Sequence, residues 1–150
     1  MRKFIWHKTT DYSSLKPITQ VYGVCFDNEG NILIIRHSNG NWNIPGGKPE
    51  NNETPEQTLK RELDEEADVT IGKNIMIGYY EVVSDKLTIY QLRFAALLDK
   101  KKPRTIDPDS GTVKERKFVS PDEFFNYVKI EDYHSMIDEA ISWFKKNRRL

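Results

Sequence analysis

Residues 54–68, TPEQTLKRELDEEAD, constrain this chain more than any other stretch, because both ends of a helix are written into it. Thr54 can accept from the backbone of the first turn, Pro55 suits the first helical position, and Gln57 completes a capping box. The pattern predicts a helix from about Pro55 to Ala67. Leu59, Leu63 and Ala67 then fall on one stripe, within about 80° of each other at about 100° per residue. Such a stripe needs an apolar surface to lie on. The chain must therefore supply a sheet or a second helix layer for it.

The same helix carries a conflict. With Leu59 at zero, Glu66, Glu62 and Glu65 lie at about −20°, −60° and −120°, beside the buried stripe and not opposite it. Glu62–Glu66 and Glu62–Glu65 are like-charge neighbours, each costing roughly 0.2–0.5 kcal/mol. Glu65, Glu66 and Asp68 also crowd the C-terminal end, where the helix dipole favours cations. Glu56–Lys60, Lys60–Asp64 and Arg61–Glu65 offset this only in part. Conflicts of this kind tend to mark functional sites. Two readings stay open on geometry alone: a solvated acidic face, or a site for a hard divalent cation such as Mg²⁺ or Mn²⁺, which oxygen ligands suit better than Zn²⁺.

The surrounding pattern supplies the missing layers. ITQVYGVCF (18–26) reads as a strand, DNEG (27–30) as a turn and NILIIRH (31–37) as the partner strand. WNIP (42–45) is a short extended piece stopped by Pro45. Residues 75–84 and 86–98 read as two longer strands, 99–111 as a polar loop and 112–119 as a strand. Ser120–Glu123 has the form of a second capping box, opening a short helix to about Tyr127, and 133–149 is an amphipathic helix. Strands, helix, strands, helices is the order of a mixed α/β domain and not of a repeating βαβ array. The 150 residues suit one domain, 1–150.

Lysine plus arginine and aspartate plus glutamate number 23 each, so there is no overall basic field to hold nucleic acid or an anionic membrane. A single cysteine, Cys25, excludes an internal disulfide. The first residues lack the apolar run of a signal peptide, and no segment has the roughly 18 apolar residues of a membrane span. The expected location is the cytoplasm.

Residues 47–69 decide between the open readings. From Gly47 the sequence runs five residues to Glu53, seven more to Arg61-Glu62-Leu63, one residue to Glu65-Glu66, then Ala67, Asp68 and Val69. This resembles the Nudix box, G-x5-E-x7-R-E-U-x-E-E-x-G-U with U aliphatic, of hydrolases acting on nucleoside diphosphates linked to another group. A chance match is on the order of one in ten million per start position at ordinary residue frequencies. Every charged position agrees, and Asp68 replaces the final glycine. A helix often ends on a left-handed residue, and Asp68 can serve there at a cost of roughly 1 kcal/mol. As a cap alone, Asp68→Gly would be neutral or stabilising.

The resemblance implies an α/β/α sandwich with a mixed sheet, and a Mg²⁺-dependent pyrophosphohydrolase with Mn²⁺ as an alternative metal. It implies that Glu62, Glu65 and Glu66, with the Gly46 carbonyl, hold the cation. Arg61 would position a catalytic carboxylate and Glu53 would brace the loop against the helix. Some relatives use a further acid before the late strand. That position aligns near Thr112, which cannot serve, and Asp107, Asp109 and Glu115 are the nearby substitutes. Candidate phosphate contacts are Arg36, His37 and Lys48. The family markers of ADP-ribose and NADH hydrolases are missing, residues 70–102 having no proline. A (deoxy)nucleoside triphosphate or modified nucleotide is thereby favoured as substrate. A homodimer is compatible with enzymes of this kind.

Other signals are weaker. No phosphate-binding P-loop follows from GGK, DNEG lacks the later ligands of a calcium loop, and three scattered histidines make no zinc site. Trp42 reads as packing, DKKKPR (99–104) as a solvated loop, and the basic tail as a helix-end complement. The competing function is a module on the same fold that binds a nucleotide without cleaving it. A purely structural domain with a solvated acidic helix would bind no Mg²⁺ at all.

Overall fold

The computed structural model describes residues 1–106, 111–112 and 114–148. In chain order the elements are β1 (Lys3–Lys8), β2 (Ile18–Phe26), β3 (Ile32–Arg36), β4 (Trp42–Asn43), β5 (Gly46–Gly47), α1 (Pro55–Ala67), β6 (Val69–Val83), β7 (Thr88–Lys101), β8 (Arg116–Val119), α2 (Phe124–Tyr127) and α3 (His134–Asn147). A 3₁₀ turn, Glu131–Tyr133, leads into α3.

The strands join in one mixed sheet in the order β1-β6-β7-β2-β3-β4, with β5 on β2 and β8 on β3. The β2–β7 pair is parallel and the other pairs are antiparallel. Alternation along the central strands shows why. Val21, Cys25, Leu33 and Ile35 point into one core with Leu59, Leu63 and Ala67 of α1. Val24, Phe26, Ile32 and Ile34 point into the other, with Met136, Ile137, Ala140 and Phe144 of α3. A strand covered on both faces reads as the unbroken apolar run seen at 32–35. The result is the expected α/β/α sandwich.

Helix α1 matches its predicted bounds, with both halves of the Thr54–Gln57 capping box formed. Elsewhere the structure corrects the reading. Lys3–Lys8 is a strand, pairing along β6 from Lys3–Val83 to Lys8–Gly78. Strand β6 begins at Val69, directly after α1, and β7 extends to Lys101. These ends pair with each other, Val69 with Lys101, so the polar residues 99–101 continue the ladder and are not loop. Ser120 caps no helix. Its hydroxyl meets the Glu123 carboxylate across a turn, and α2 starts only at Phe124 without a side-chain cap.

Candidate active site

The site is built where the β5 strand, α1 and the connection after β7 meet. Gly46 and Gly47 pair with Tyr22 and Val21 of β2 and run close under α1. A Cβ at Gly47 would sit 2.6 and 2.7 Å from the two carboxylate oxygens of Glu62. A Cβ at Gly46 would strike the Tyr22 ring and the Val21 carbonyl. A larger residue at 46 would clash with the β2 backbone, whereas one at 47 would displace the movable end of Glu62.

Arg61 organises the acidic face. Its Nε donates to Glu53 Oε2 at 2.7 Å and its Nη2 to Glu53 Oε1 at 3.0 Å, a two-pronged grip. Nη1 donates to Glu62 Oε1 at 2.8 Å and Glu65 Oε2 at 3.3 Å, and Nη2 to the Lys48 carbonyl at 3.1 Å. Glu53 also accepts from the Thr58 hydroxyl at 2.7 Å and the Glu50 N–H at 3.0 Å. The Arg61 hydrogen bonds hold its carboxyl well down, to about 2. Glu62 goes the other way. Burial first, then the neighbouring Glu66, push it up to about 7 against the pull of Arg61. Glu66 is buried at 9% exposure, and its Oε1 accepts from the Gly46 N–H at 2.9 Å. Its Oε2 pairs with the Lys114 ammonium at 3.1 Å.

The cations that the helix lacks in its own last turn come from the connection after β7 and from the start of β8. Arg104 pairs with Asp68 at 3.0 Å, Lys102 pairs with Asp64, and Arg116 donates to the Ala67 carbonyl at 2.7 Å. Lys102 and Arg104 are thus part of the helix end and not the solvated loop that the sequence suggested. Asp68 is left-handed, φ 53° and ψ 47°, as a cap requires. Its carboxylate also accepts from Thr105 N–H at 2.8 Å and Thr105 Oγ1 at 2.6 Å. Asp68 is therefore more than a cap, and the expectation that glycine would be neutral does not fit these contacts.

Carboxylate oxygens are donors that a hard divalent cation takes, and Glu62, raised by burial and then by Glu66, would gain from added positive charge. Among the described residues no three acidic, histidine or cysteine side chains are gathered closely enough, as they stand, to hold a metal ion. Glu62 and Glu65 lean on Arg61, and Glu66 on Gly46 and Lys114.

Of the suggested phosphate contacts, Arg36 is turned onto the Gly40 carbonyl and the Glu115 carboxylate, both at 3.2 Å. His37 is half-buried with Nε2 unpartnered, and burial together with Lys114 keeps its pKa below the usual value. The Lys48 side chain is exposed. Asp107 and Asp109 lie outside the described residues, and Trp42 packs edge-on to Tyr127 as read.

Sequence reading missed a second feature, a cavity of about 330 Å³ lined by Arg2, Gln20, Tyr22, Asn43, Tyr80, Arg93 and their neighbours. Arg93 is 3% exposed and sits 4.8 Å from the Tyr22 ring centroid and 5.1 Å from that of Tyr80. Its guanidinium donates to the Leu92 carbonyl and to Gln20, and its Nε has no hydrogen-bond partner among the described residues. The signal was available: Gln91 and Arg93 interrupt a buried apolar strand. Tyr22 joins the cavity to the acidic face. Burial raises its phenol, Arg93 opposes this, and Glu66 and Glu62 add to it.

Comparison with known proteins agrees with this fold. The family model for the NUDIX domain matches residues 16–144. The 8-oxo-dGTP diphosphatase of Proteus vulgaris is 46% identical over 54 residues, 33% of this chain and 48% of that protein. A MutT-like protein of Streptomyces ambofaciens is 39% identical over 62 residues, 41% of this chain and 40% of that protein. The chain thus spans less than half the length of these curated relatives. Among solved structures, the Bacillus subtilis pyrophosphohydrolase BsRppH aligns with a TM-score of 0.66 at 20% identity, over 78% of this chain and 71% of that one. MutT from Aliivibrio salmonicida and Vibrio cholerae gives 0.63 at 22% identity, over 85% and 98%. These structural likenesses concern the fold.

Proposed function

The chain belongs to the NUDIX domain family, and we propose that it is a Mg²⁺-dependent pyrophosphohydrolase that cleaves the diphosphate linkage of a nucleotide. The observation carrying this reading is that Arg61 draws Glu62 and Glu65 together while the Gly46 N–H holds Glu66 on the same helix end. Glu62, Glu65 and Glu66 would hold the cation. When bound it would neutralise the diphosphate, polarise phosphorus and acidify the attacking water.

The protein's own residues prepare this. Arg61 fixes Glu62 and Glu65 in one cluster, Glu53 fixes Arg61, and the Gly46 N–H fixes Glu66. Positioning of this sort is worth much of the rate, because small displacements at a reacting centre are costly. The nucleoside would enter the cavity beside Tyr22, where aromatic faces and the Gln20, Asn43 and Arg93 groups can hold a base by stacking and hydrogen bonds. A nucleoside triphosphate or modified nucleotide is the substrate class this favours, in keeping with the 8-oxo-dGTP diphosphatase relative.

The test is a panel of nucleoside di- and triphosphate derivatives, with product release followed with Mg²⁺ and with chelator. Turnover of at least one nucleotide, abolished by chelator, is expected. Tight nucleotide binding with no turnover of any member would instead favour the binding module.

A further inference from the structure

Position 68 departs from the family pattern, and the structure shows what the departure adds. Backbone geometry is what a glycine would give: a left-handed residue whose N–H returns to the Asp64 and Leu63 carbonyls. The side chain does something glycine cannot. It is 6% exposed and holds Thr105 through two hydrogen bonds and Arg104 through an ion pair. Arg104 in turn donates to the Glu66 carbonyl at 3.3 Å and to the Lys114 carbonyl. Lys114 then returns its ammonium to Glu66 Oε2, in a pair with side chains only 18% and 10% exposed. Asp68, Arg104, Lys114 and Glu66 thus form one closed circuit around the end of α1.

We propose that Lys114 is a built-in counter-cation that competes with the divalent cation for Glu66, and that Asp68 is the positioning residue that holds it there through Arg104. The consequence for metal rests on the function proposed above. The physics is a simple competition. A carboxylate already paired with an ammonium in a poorly solvated position must give up that pair before it ligates a metal. The pair places a cation on Glu66 while no metal is bound, which stabilises the metal-free fold at the expense of metal affinity. Arg104, held by Asp68, donates to the Lys114 carbonyl and so keeps the ammonium near its target, at high effective concentration.

The experiment is Mg²⁺ titration by calorimetry, in the absence of nucleotide, on the parent protein, Lys114→Met, Asp68→Gly, and the double variant. Lys114→Met should bind Mg²⁺ about fivefold more tightly, and Lys114→Arg should restore the parent constant. Asp68→Gly should shift the constant in the same direction. The double variant should bind no more tightly than Lys114→Met alone, because both changes remove one competitor. Should Asp68→Gly fold poorly, Asp68→Asn serves, since it keeps a short polar side chain but loses the charge that holds Arg104. An unchanged constant in Lys114→Met, with a raised KM for nucleotide, would overturn the proposal and make Lys114 a phosphate contact. Additive effects in the double variant would overturn the positioning role of Asp68. A parent protein that binds no Mg²⁺ would overturn both this proposal and the functional reading, so the two failures are distinguishable.

Discussion

Gly47→Ala separates the site from the fold. The new methyl carbon would lie 2.6 and 2.7 Å from the Glu62 carboxylate oxygens, against ordinary non-bonded separations of about 3.5 Å. The obstacle is the flexible end of a side chain, so the backbone need not move. Glu62 must retreat by roughly 1 Å, which breaks its 2.8 Å bond from Arg61. Losing that bond costs about 1 kcal/mol in this partly exposed place. Alanine recovers about 0.4–1 kcal/mol by restricting the unfolded chain, since Gly47 does not need a positive φ. The two nearly cancel, and the melting temperature should stay within about 4 °C of the parent. Turnover should not survive so well: a displacement of about 1 Å at a reacting centre costs on the order of 100-fold. Thermal melts and steady-state kinetics on one preparation decide it. Turnover within about threefold of the parent would refute the placement of Glu62 at the reacting centre. A melting temperature lowered by more than about 10 °C would refute the claim that a side chain alone absorbs the methyl.

Three further outcomes follow from the same contacts. The Glu53 carboxyl is lowered from 4.5 to about 2 chiefly by Arg61, so its contribution is whole above pH 4.5 and is lost as pH falls towards 2. Acid titration of stability should therefore be less steep for Glu53→Gln over that window, and an identical slope would contradict the pairing. Cys25 is fully buried and its thiol is pushed up to about 12 by burial and by Asp27. A thiol reagent should leave the native protein unmodified and label one thiol after denaturation, whereas fast native labelling would show that this core opens. Arg93→Met removes a buried cation that packs on tyrosines, so stability should hold or rise while KM increases about tenfold. An unchanged KM would remove Arg93 from substrate binding.

Much of the site was legible because its residues lie within one local segment. The capping box set where α1 starts, and its period set which carboxylates flank the apolar stripe. The two-sided core was legible in part, through the unbroken apolar run of β3. What escaped depended on contacts distant in sequence. Lys114 lies 48 residues from Glu66, and no local pattern brings them together. Residues 99–104 look like solvent-exposed loop because charge dominates them, yet strand pairing and the acids Asp64 and Asp68 at the helix end claim them. The N-terminal strand was hidden by its edge position, which leaves Lys3 and Phe4 outside the core and blurs the alternation. Asp68 was legible as a left-handed cap but not as an anchor, since its partners are Arg104 and Thr105.

The central claim is that the acidic end of α1 holds the cation that the hydrolysis needs. Its most direct test is Mg²⁺-dependent nucleotide turnover by the parent protein and by Glu66→Gln, each at saturating nucleotide. The account predicts turnover that vanishes without Mg²⁺ and falls by at least about 100-fold in Glu66→Gln, whose glutamine can still accept from the Gly46 N–H, so that the protein stays folded with a melting temperature lowered only by the lost Lys114 pair. Turnover that persists in chelator, or that is unchanged in Glu66→Gln, would contradict it.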